Sequence, residues 1–301
     1  MRVATGQFAV SADIAANLSA VQRLMRQAKA AGAQVVHFCE AALSGYAGVD
    51  FETFDGFDWD ACQAATRAVM AQAGELALWT VVGSSHRLLD GHKPHNSVYV
   101  IDASGALVDR YDKRFCAGDA AGASGDLLHY TPGDHFAVFD IAGVRCGVLV
   151  CHDYRYPELY RAYHRQGVRL MFHGFHAGGL SAERFADMEA GVGTHRLTGG
   201  TTLPAITMPA GMIASASNNN LWISCPNSSA PRSCWPSFFV RPDGVITGAL
   251  EPETEGMLLS DVDLAAGLYD STVAWRDRAI DGVLHSGEVV VDPRSADRRG
   301  L

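Results

Sequence analysis

Residues 136–151 read FAVFDIAGVRCGVLVC, two apolar runs around an Ala142-Gly143 turn, the second stopping abruptly at Cys151. Such runs, joined by a pair of small residues, predict a β-hairpin. The stretch SVYVIDASGALVDRYDK predicts another, turning at Ala103-Ser104-Gly105 and leaving at Lys113. Between the hairpins, strand-like and helical patterns alternate. Arg2–Val10 reads as a strand, and Asp13–Ala31 as a helix with Ile14, Leu18, Val21, Leu24 and Met25 on one stripe. AQVVHFCE (33–40) reads as a buried strand ending at Glu40. A helix over Asp60–Ala73, a strand in LALWTVVGSS, a helix opened by Pro157 and closed by Gly167, a strand in VRLMFHGFH and a helix over Ala182–Leu197 follow. SNNNLWISCPN, WPSFFVRPDGVITGAL and GMLLSDVDL read as the last strands. Hairpins mixed with αβ units predict an α/β fold layered around mixed sheets, not a purely parallel doubly wound one. No fixed-period repeat or linker divides the chain, so 1–270 reads as one domain and 271–301 as a tail or arm at an oligomer interface.

Charge narrows the function. With 24 basic and 33 acidic residues the net charge is −9, which argues against a nucleic-acid partner. No apolar stretch approaches the ~20 residues of a membrane span, and MRVATGQFAV reads as a first strand rather than a signal peptide. A cytoplasmic location is the expectation. The seven cysteines contain no CxxC pair, so they read as free thiols, most of them packed in the core.

Three ionisable residues share one placement, because Glu40, Lys113 and Cys151 each stand where an apolar strand runs out. No local spacing brings them together; a sheet would. A cysteine attacks only as thiolate, and its ordinary pKa of about 8.5 leaves it mostly protonated at neutral pH. An adjacent carboxylate takes the proton, and a buried ammonium stabilises first the thiolate and then the oxyanion formed when sulfur adds to a carbonyl. Such a set points to acyl transfer through a thioester. Singly, each residue also reads as structural: a packed thiol, a capping carboxylate, a solvated lysine.

The chain resembles the nitrilase superfamily of carbon–nitrogen hydrolases. VVHFCEAALSGY (35–46) is similar to that family's glutamate segment, RYDKRF (110–115) to its lysine segment and CHDYRYPELYR (151–161) to its nucleophile segment, in family order. WPSFFVRPDGVI (235–246) resembles a late strand-turn-strand element. The resemblance implies a four-layer α-β-β-α sandwich of two mixed sheets, paired as a homodimer or higher homo-oligomer, with no cofactor and no metal. It implies that Glu40 is the general base, Lys113 the oxyanion stabiliser and Cys151 the nucleophile, with the His152 N–H as a second oxyanion donor. A further family glutamate falls on Asp126 here, one methylene shorter. Tyr46, in the Gly-Tyr turn after Glu40, is expected at the substrate. Cys39 stands where the family often has proline, and Arg114-Phe115 where many members place a histidine.

Nitrilases in the narrow sense usually show Cys-Trp-Glu, whereas this chain has Cys151-His152-Asp153, which favours a small amide or N-carbamoyl substrate over a nitrile. The Tyr154-Arg155 pair stands where carbamoylases carry two arginines. Arg155 either grips a substrate carboxylate or fixes the loop by pairing with Glu158 or Asp153. His176, after the VRLMFHGFH strand, is a substrate-facing candidate, and Trp222 is expected in the core or a dimer interface. Two rival classes stay open: a silent small-molecule-binding relative, and a metal-dependent amidohydrolase, prompted by 12 histidines, with His173 and His176 three apart.

Overall fold

The computed structural model describes residues 1–89, 91–192 and 199–299. The first half of the chain forms β1 (Arg2–Gln7), α1 (Ile14–Ala30), β2 (Val35–His37), α2 (Trp59–Leu76), β3 (Trp79–His86), β4 (His95–Ile101) and β5 (Leu107–Asp112). The second forms β6 (Val138–Ile141), β7 (Val144–Val150), α3 (Pro157–Arg165), β8 (Leu170–Gly174), α4 (Ala182–Ala190), α5 (Leu203–Asn219), β9 (Trp222–Cys225), β10 (Phe238–Val240), β11 (Ile246–Ala249) and β12 (Gly256–Asp261). Two six-stranded sheets result, ordered β12-β1-β2-β3-β4-β5 and β11-β10-β9-β8-β7-β6. Each is mixed. β1, β2 and β3 are parallel, as are β7, β8 and β9, and the hairpins add antiparallel strands outside them.

Side-chain alternation builds the layers. Val3, Val35 and Val81 turn one way and join Phe139 and Phe172 of the other sheet in the inter-sheet core. Their successors Ala4, Val36 and Val82 turn the other way, beneath Val21, Leu24 and Met25 of α1 and Val69 of α2. Across the second sheet, Leu159, Tyr160 and Tyr163 of α3 and Met208 and Met212 of α5 supply the outer apolar layer. The α-β-β-α architecture follows from a strand code of period two read on both faces.

Local punctuation matches most expected boundaries. Asp13 caps α1 by accepting from the Ala15 and Ala16 N–H groups. Ala142 and Gly143 both take positive φ, 48° and 80°, as a two-residue hairpin turn requires. One element departs from the sequence reading. α5 went unrecognised, and Ser217–Asn219, expected in a strand, form its last turn. Pro204 lies in its first turn, Pro209 inside it, and tertiary packing of Met208, Met212 and Ala216 outweighs the proline cost. The helix expected over Ala182–Leu197 is α4 up to Ala190, and its stretch 193–197 lies outside the described residues. Trp222 is buried on β9.

Beyond β12 the chain folds back through α6 (Arg276–Ile280), whose Asp277 meets His164 of α3 at 3.1 Å. Val289, Val290 and Val291 after it are exposed. Among the described residues no helix is long and apolar enough to cross a membrane.

Candidate active site

The ends of β2, β5, β7 and β8 converge. Glu40 lies three residues past β2, in a turn whose next residue, Ala41, is left-handed with φ 55°. This turn lies flat against β3, and a Cβ on Gly83 would stand 2.3 Å from the Cys39 carbonyl oxygen, so only glycine fits there. Lys113 directly follows β5, its N–H donating to the Asn96 carbonyl at 2.8 Å. Cys151 directly follows β7 as the first residue of a 3-10 turn, Cys151–Arg155, with φ 42°. A left-handed non-glycine residue costs roughly 1–2 kcal/mol, and it lifts the thiol out of the strand's alternation at the sheet's rim.

Lys113 is the hub. Its ammonium lies 2.8 Å from Glu40 Oε1 and 2.7 Å from Asp126 Oδ2, while Tyr46 Oη is 3.5 Å away. Glu40, Lys113 and Asp126 are all buried. The shorter Asp126 reaches the ammonium because loop 117–126 is pinched: Gly118 and Gly125 bridge, and Asp126 N–H donates to the Ala117 carbonyl at 2.7 Å. Asp126 Oδ2 also accepts from Ala117 N–H at 2.8 Å, and Oδ1 accepts from the Tyr46 hydroxyl. Although burial opposes its ionisation, the Lys113 charge and these donors hold Asp126 below the usual carboxylate range. Burial opposes the Lys113 charge, but the acidic groups around it, Glu40 first, outweigh this and raise Lys113 well above its ordinary value.

Glu40 is held asymmetrically. Oε1 accepts from both Lys113 and the Asn96 side-chain amide, the latter at 2.7 Å, whereas the buried Oε2 has no well-aligned hydrogen-bond donor among the described residues. The Cys151 thiol is pushed well above its ordinary pKa, first by burial and next by the Glu40 charge, with Lys113 opposing. The resting site therefore favours a neutral thiol at Cys151.

Two further residues, read in the sequence as a possible metal ligand (His173) and a possible partner of Arg155 (Asp153), fix the cysteine turn. Asp153, fully buried, accepts from Phe115 N–H at 2.8 Å, Val150 N–H at 3.0 Å and the Tyr111 hydroxyl at 2.8 Å. It thus ties the lysine loop to the cysteine turn and does not pair with Arg155. His173 donates from Nε2 to the Cys151 carbonyl at 3.1 Å, so its Nδ1 accepts from the Tyr160 hydroxyl at 2.8 Å. Burial lowers its pKa to about 3, fixing this neutral tautomer. Asp153→Ala strands two backbone N–H groups, and a loss of about 1–3 kcal/mol in denaturant titration is expected, with kcat falling more than KM rises. Burial raises the Asp153 pKa from an ordinary 3.8 to about 6. The folded state therefore binds this proton more tightly than the unfolded chain, and the residue's stability contribution declines as pH rises between those values.

A cavity of about 620 Å³ opens from Cys151 and Asp126. Tyr46 lines it, its ring stacked on His176 at 5.3 Å, and His176 lines it too, with Nε2 3.0 Å from Asp50 Oδ2 in a contact lacking hydrogen-bond alignment. The remaining expected substrate contacts lie elsewhere. The Tyr154 hydroxyl meets Thr207 Oγ1 of α5 at 3.0 Å, Arg155 donates to the same oxygen at 3.1 Å and lies over the Tyr154 ring at 4.6 Å, and neither lines the cavity. The His152 ring packs edge-on to Tyr156. Phe115, one of the departures after Lys113, stacks on Tyr156 at 3.6 Å. His173 and His176 serve different partners, and no three His, Cys, Asp or Glu side chains among the described residues group as a metal site.

The sequence is 31% identical over 174 residues to N-carbamoylputrescine amidase of Arabidopsis thaliana, covering 57% of each chain. It is 28% identical over 176 residues to omega-amidase NIT2 of Bos taurus, covering 56% of this chain and 61% of that one. These matches thus span about three fifths of the curated relatives' length. Among solved structures, an amidase from Nesterenkonia sp. AN1, carrying acrylamide added at its active-site cysteine, superposes with a TM-score of 0.71 at 20% identity, covering 94% of this chain and 100% of that one. The carbon-nitrogen hydrolase model matches residues 2–267. With a match across nearly the whole fold, the chain belongs to the carbon–nitrogen hydrolase family.

Proposed function

We propose that this hydrolase cleaves the C–N bond of a small amide or N-carbamoyl compound through a thioester on Cys151, with Glu40 as base and Lys113 as oxyanion stabiliser. The observation that carries the reading is the asymmetric Glu40: Oε1 is pinned by Lys113 and Asn96, and Oε2 is buried, without a well-aligned donor among the described residues, close enough to Cys151 to raise its thiol's pKa. Glu40 Oε2 takes the thiol proton as sulfur adds to the carbonyl carbon. Lys113 has three donors, two of them spent on Glu40 and Asp126, and the third, with only Tyr46 at 3.5 Å, meets the new oxyanion. The His152 N–H, next in the turn, is the second donor. Collapse breaks the C–N bond, and the amine or ammonia leaves with the proton held by Glu40. Water then loses a proton to Glu40, attacks the thioester, and releases the acid as the thiol is restored. Asp126 holds the ammonium in register throughout.

The test is ammonia release from a panel of short amides and N-carbamoyl compounds, with acid-quenched samples examined by mass spectrometry. Turnover of at least one substrate and an acyl adduct on the Cys151 peptide are expected. No turnover on any amide, carbamoyl or nitrile substrate sinks the reading. A haloacetamide is expected to modify Cys151 ahead of Cys116 and Cys234, the other partly exposed thiols, since a carboxylate placed to accept the thiol proton and an ammonium placed to hold the thiolate both stand at Cys151. Peptide mapping that finds Cys116 or Cys234 modified first would count against the assignment.

A further inference from the structure

A second cavity, of about 680 Å³, lies beside the catalytic one, and the two share Leu128 and His129 as a common wall. Its inner surface is apolar. Phe54 precedes α2, Trp59 opens that helix, and Pro94 is buried just before β4. Phe54 and Trp59 stack at 5.1 Å, and Phe57 meets Trp59 edge-on at 4.7 Å, so the rings hold one another in place while staying half-buried. Leu89 and Leu128 line the same space and are 85% and 46% exposed. Leucines left this open beside an aromatic surface form an apolar concavity of the kind that marks a binding groove.

The shared wall carries no charge near neutral pH, because His129 is held below its ordinary pKa chiefly by burial. The His129 ring lies against Gly48, where a Cβ would stand 2.9 Å from Nε2, so position 48 adds no side chain to the wall. The charged and titratable residues that line the second cavity, Asp55, Arg87, His92 and Lys93, are exposed and of both signs, so their heads stay in water and impose no single-sign field among the described residues. The Lys93 ammonium is also engaged, donating to the Leu127 carbonyl at 2.6 Å. From this continuity we infer that the substrate is an extended amide or N-carbamoyl compound. A neutral apolar or aromatic group on one side of the scissile carbonyl lies past Leu128 and His129, against Phe54, Trp59 and Leu89, while the carbonyl meets Cys151. The inference rests on the amide-hydrolase reading and deepens it into a substrate class. The wall shared with the catalytic cavity, and a volume on the scale of an organic ligand, favour substrate over a second copy of the chain as the occupant.

The discriminating experiment compares two pairs that differ only by a terminal phenyl group: butyramide with 4-phenylbutyramide, extended on the acyl side, and N-propylurea with N-(3-phenylpropyl)urea, extended on the amine side. In the full-length wild type at least one phenyl member is expected to exceed its partner in kcat/KM by roughly tenfold or more, since each buried methylene-sized group is worth about fourfold. Leu89→Asp, at a site exposed enough to leave packing intact, raises KM for that phenyl member roughly tenfold and leaves kcat and the short partner unchanged. Trp59→Ala acts in the same direction. Equal use of both members in both pairs, a phenyl preference untouched by either substitution, or a Leu89→Asp change that affects both members alike overturns the inference while leaving amide hydrolysis standing. So does loss of an oligomer in Leu89→Asp, seen by sedimentation, with the phenyl preference intact, which assigns the leucines to a contact between copies of the chain. Should no amide or urea turn over, calorimetric titration of the four compounds into Cys151→Ala, with and without Leu89→Asp, still decides it. Tighter binding of a phenyl member that depends on Leu89 supports the extended site, and equal binding within both pairs refutes it.

Discussion

Glu40→Gln is expected to lower turnover by roughly 10²–10⁴-fold, the usual weight of a general acid–base, while making Cys151 easier to ionise. The two effects have opposite signs because Glu40 acts on the thiol in two ways. Its charge, after burial the largest influence on Cys151, holds the thiol protonated, and glutamine removes that charge while Lys113 stays. The ultraviolet thiolate absorbance of the variant should therefore titrate at lower pH than in the wild type. Its chemistry nevertheless stalls, since an amide side chain neither accepts the thiol proton nor delivers one to the departing nitrogen. A haloacetamide, whose leaving group needs no proton, should still alkylate the variant, and a small amide should not turn over. If the titration moves upward, or the variant keeps wild-type turnover, Glu40 is not the base.

This pairing of a dead enzyme with a more acidic thiol follows from how the fold places charge. Glu40, Lys113 and Cys151 each arrive from a strand end held by hydrogen bonds: Phe38 N–H to the Val81 carbonyl before Glu40, Lys113 N–H to the Asn96 carbonyl, and the His173 side chain to the Cys151 carbonyl. Asn96 serves twice, since its carbonyl sets the Lys113 backbone and its side chain pins Glu40 Oε1. Asp153 likewise links two strand ends that never pair. The site is rigid because its supports belong to the sheets' own hydrogen-bond frame.

What the sequence reveals and what it hides divide along the range of each interaction. Hairpin turns, the Asp13 cap and the strand ends at Glu40, Lys113 and Cys151 are written in adjacent residues, so period and punctuation expose them. Asn96 carries no such mark, and Asp153 is marked only as part of the nucleophile segment. The partners that define their roles, apart from Val150 beside Asp153, lie 17 to 56 positions away, so adjacent residues do not expose them. Arg155 misleads for the opposite reason. Closeness in sequence to Cys151 suggests closeness to substrate, yet the 3-10 turn carries a residue four positions on roughly 120° round the axis, toward Thr207. In α5 the prolines speak against a helix that burial then enforces.

Lys113→Met is expected to remove both catalysis and much of the stability, and the pH dependence of that stability separates the charge effect from simple loss of packing. Methionine nearly matches the lysine stem in volume, so little cavity forms. What it leaves is Glu40 and Asp126, both buried, facing each other without the cation between them. Breaking a buried ion pair by deleting one partner costs about 3–5 kcal/mol, measurable by denaturant titration at neutral pH, and loss of an oxyanion donor takes roughly 10²–10³ from kcat. In the wild type, Asp126 sits below its ordinary pKa, so its contribution is complete above the unfolded value and is lost as pH falls through the folded one. In the variant one of the two carboxylates is raised, because burial and a like charge both disfavour its ionised form. The folded variant then binds a proton more tightly than the unfolded chain, and its stability rises as pH falls toward the ordinary carboxylate range. Opposite slopes for the two proteins in mildly acidic solution are the expected signature. Parallel slopes with an equal offset would mean that Lys113 contributes shape rather than charge, and the proposed oxyanion role would lose its electrostatic basis.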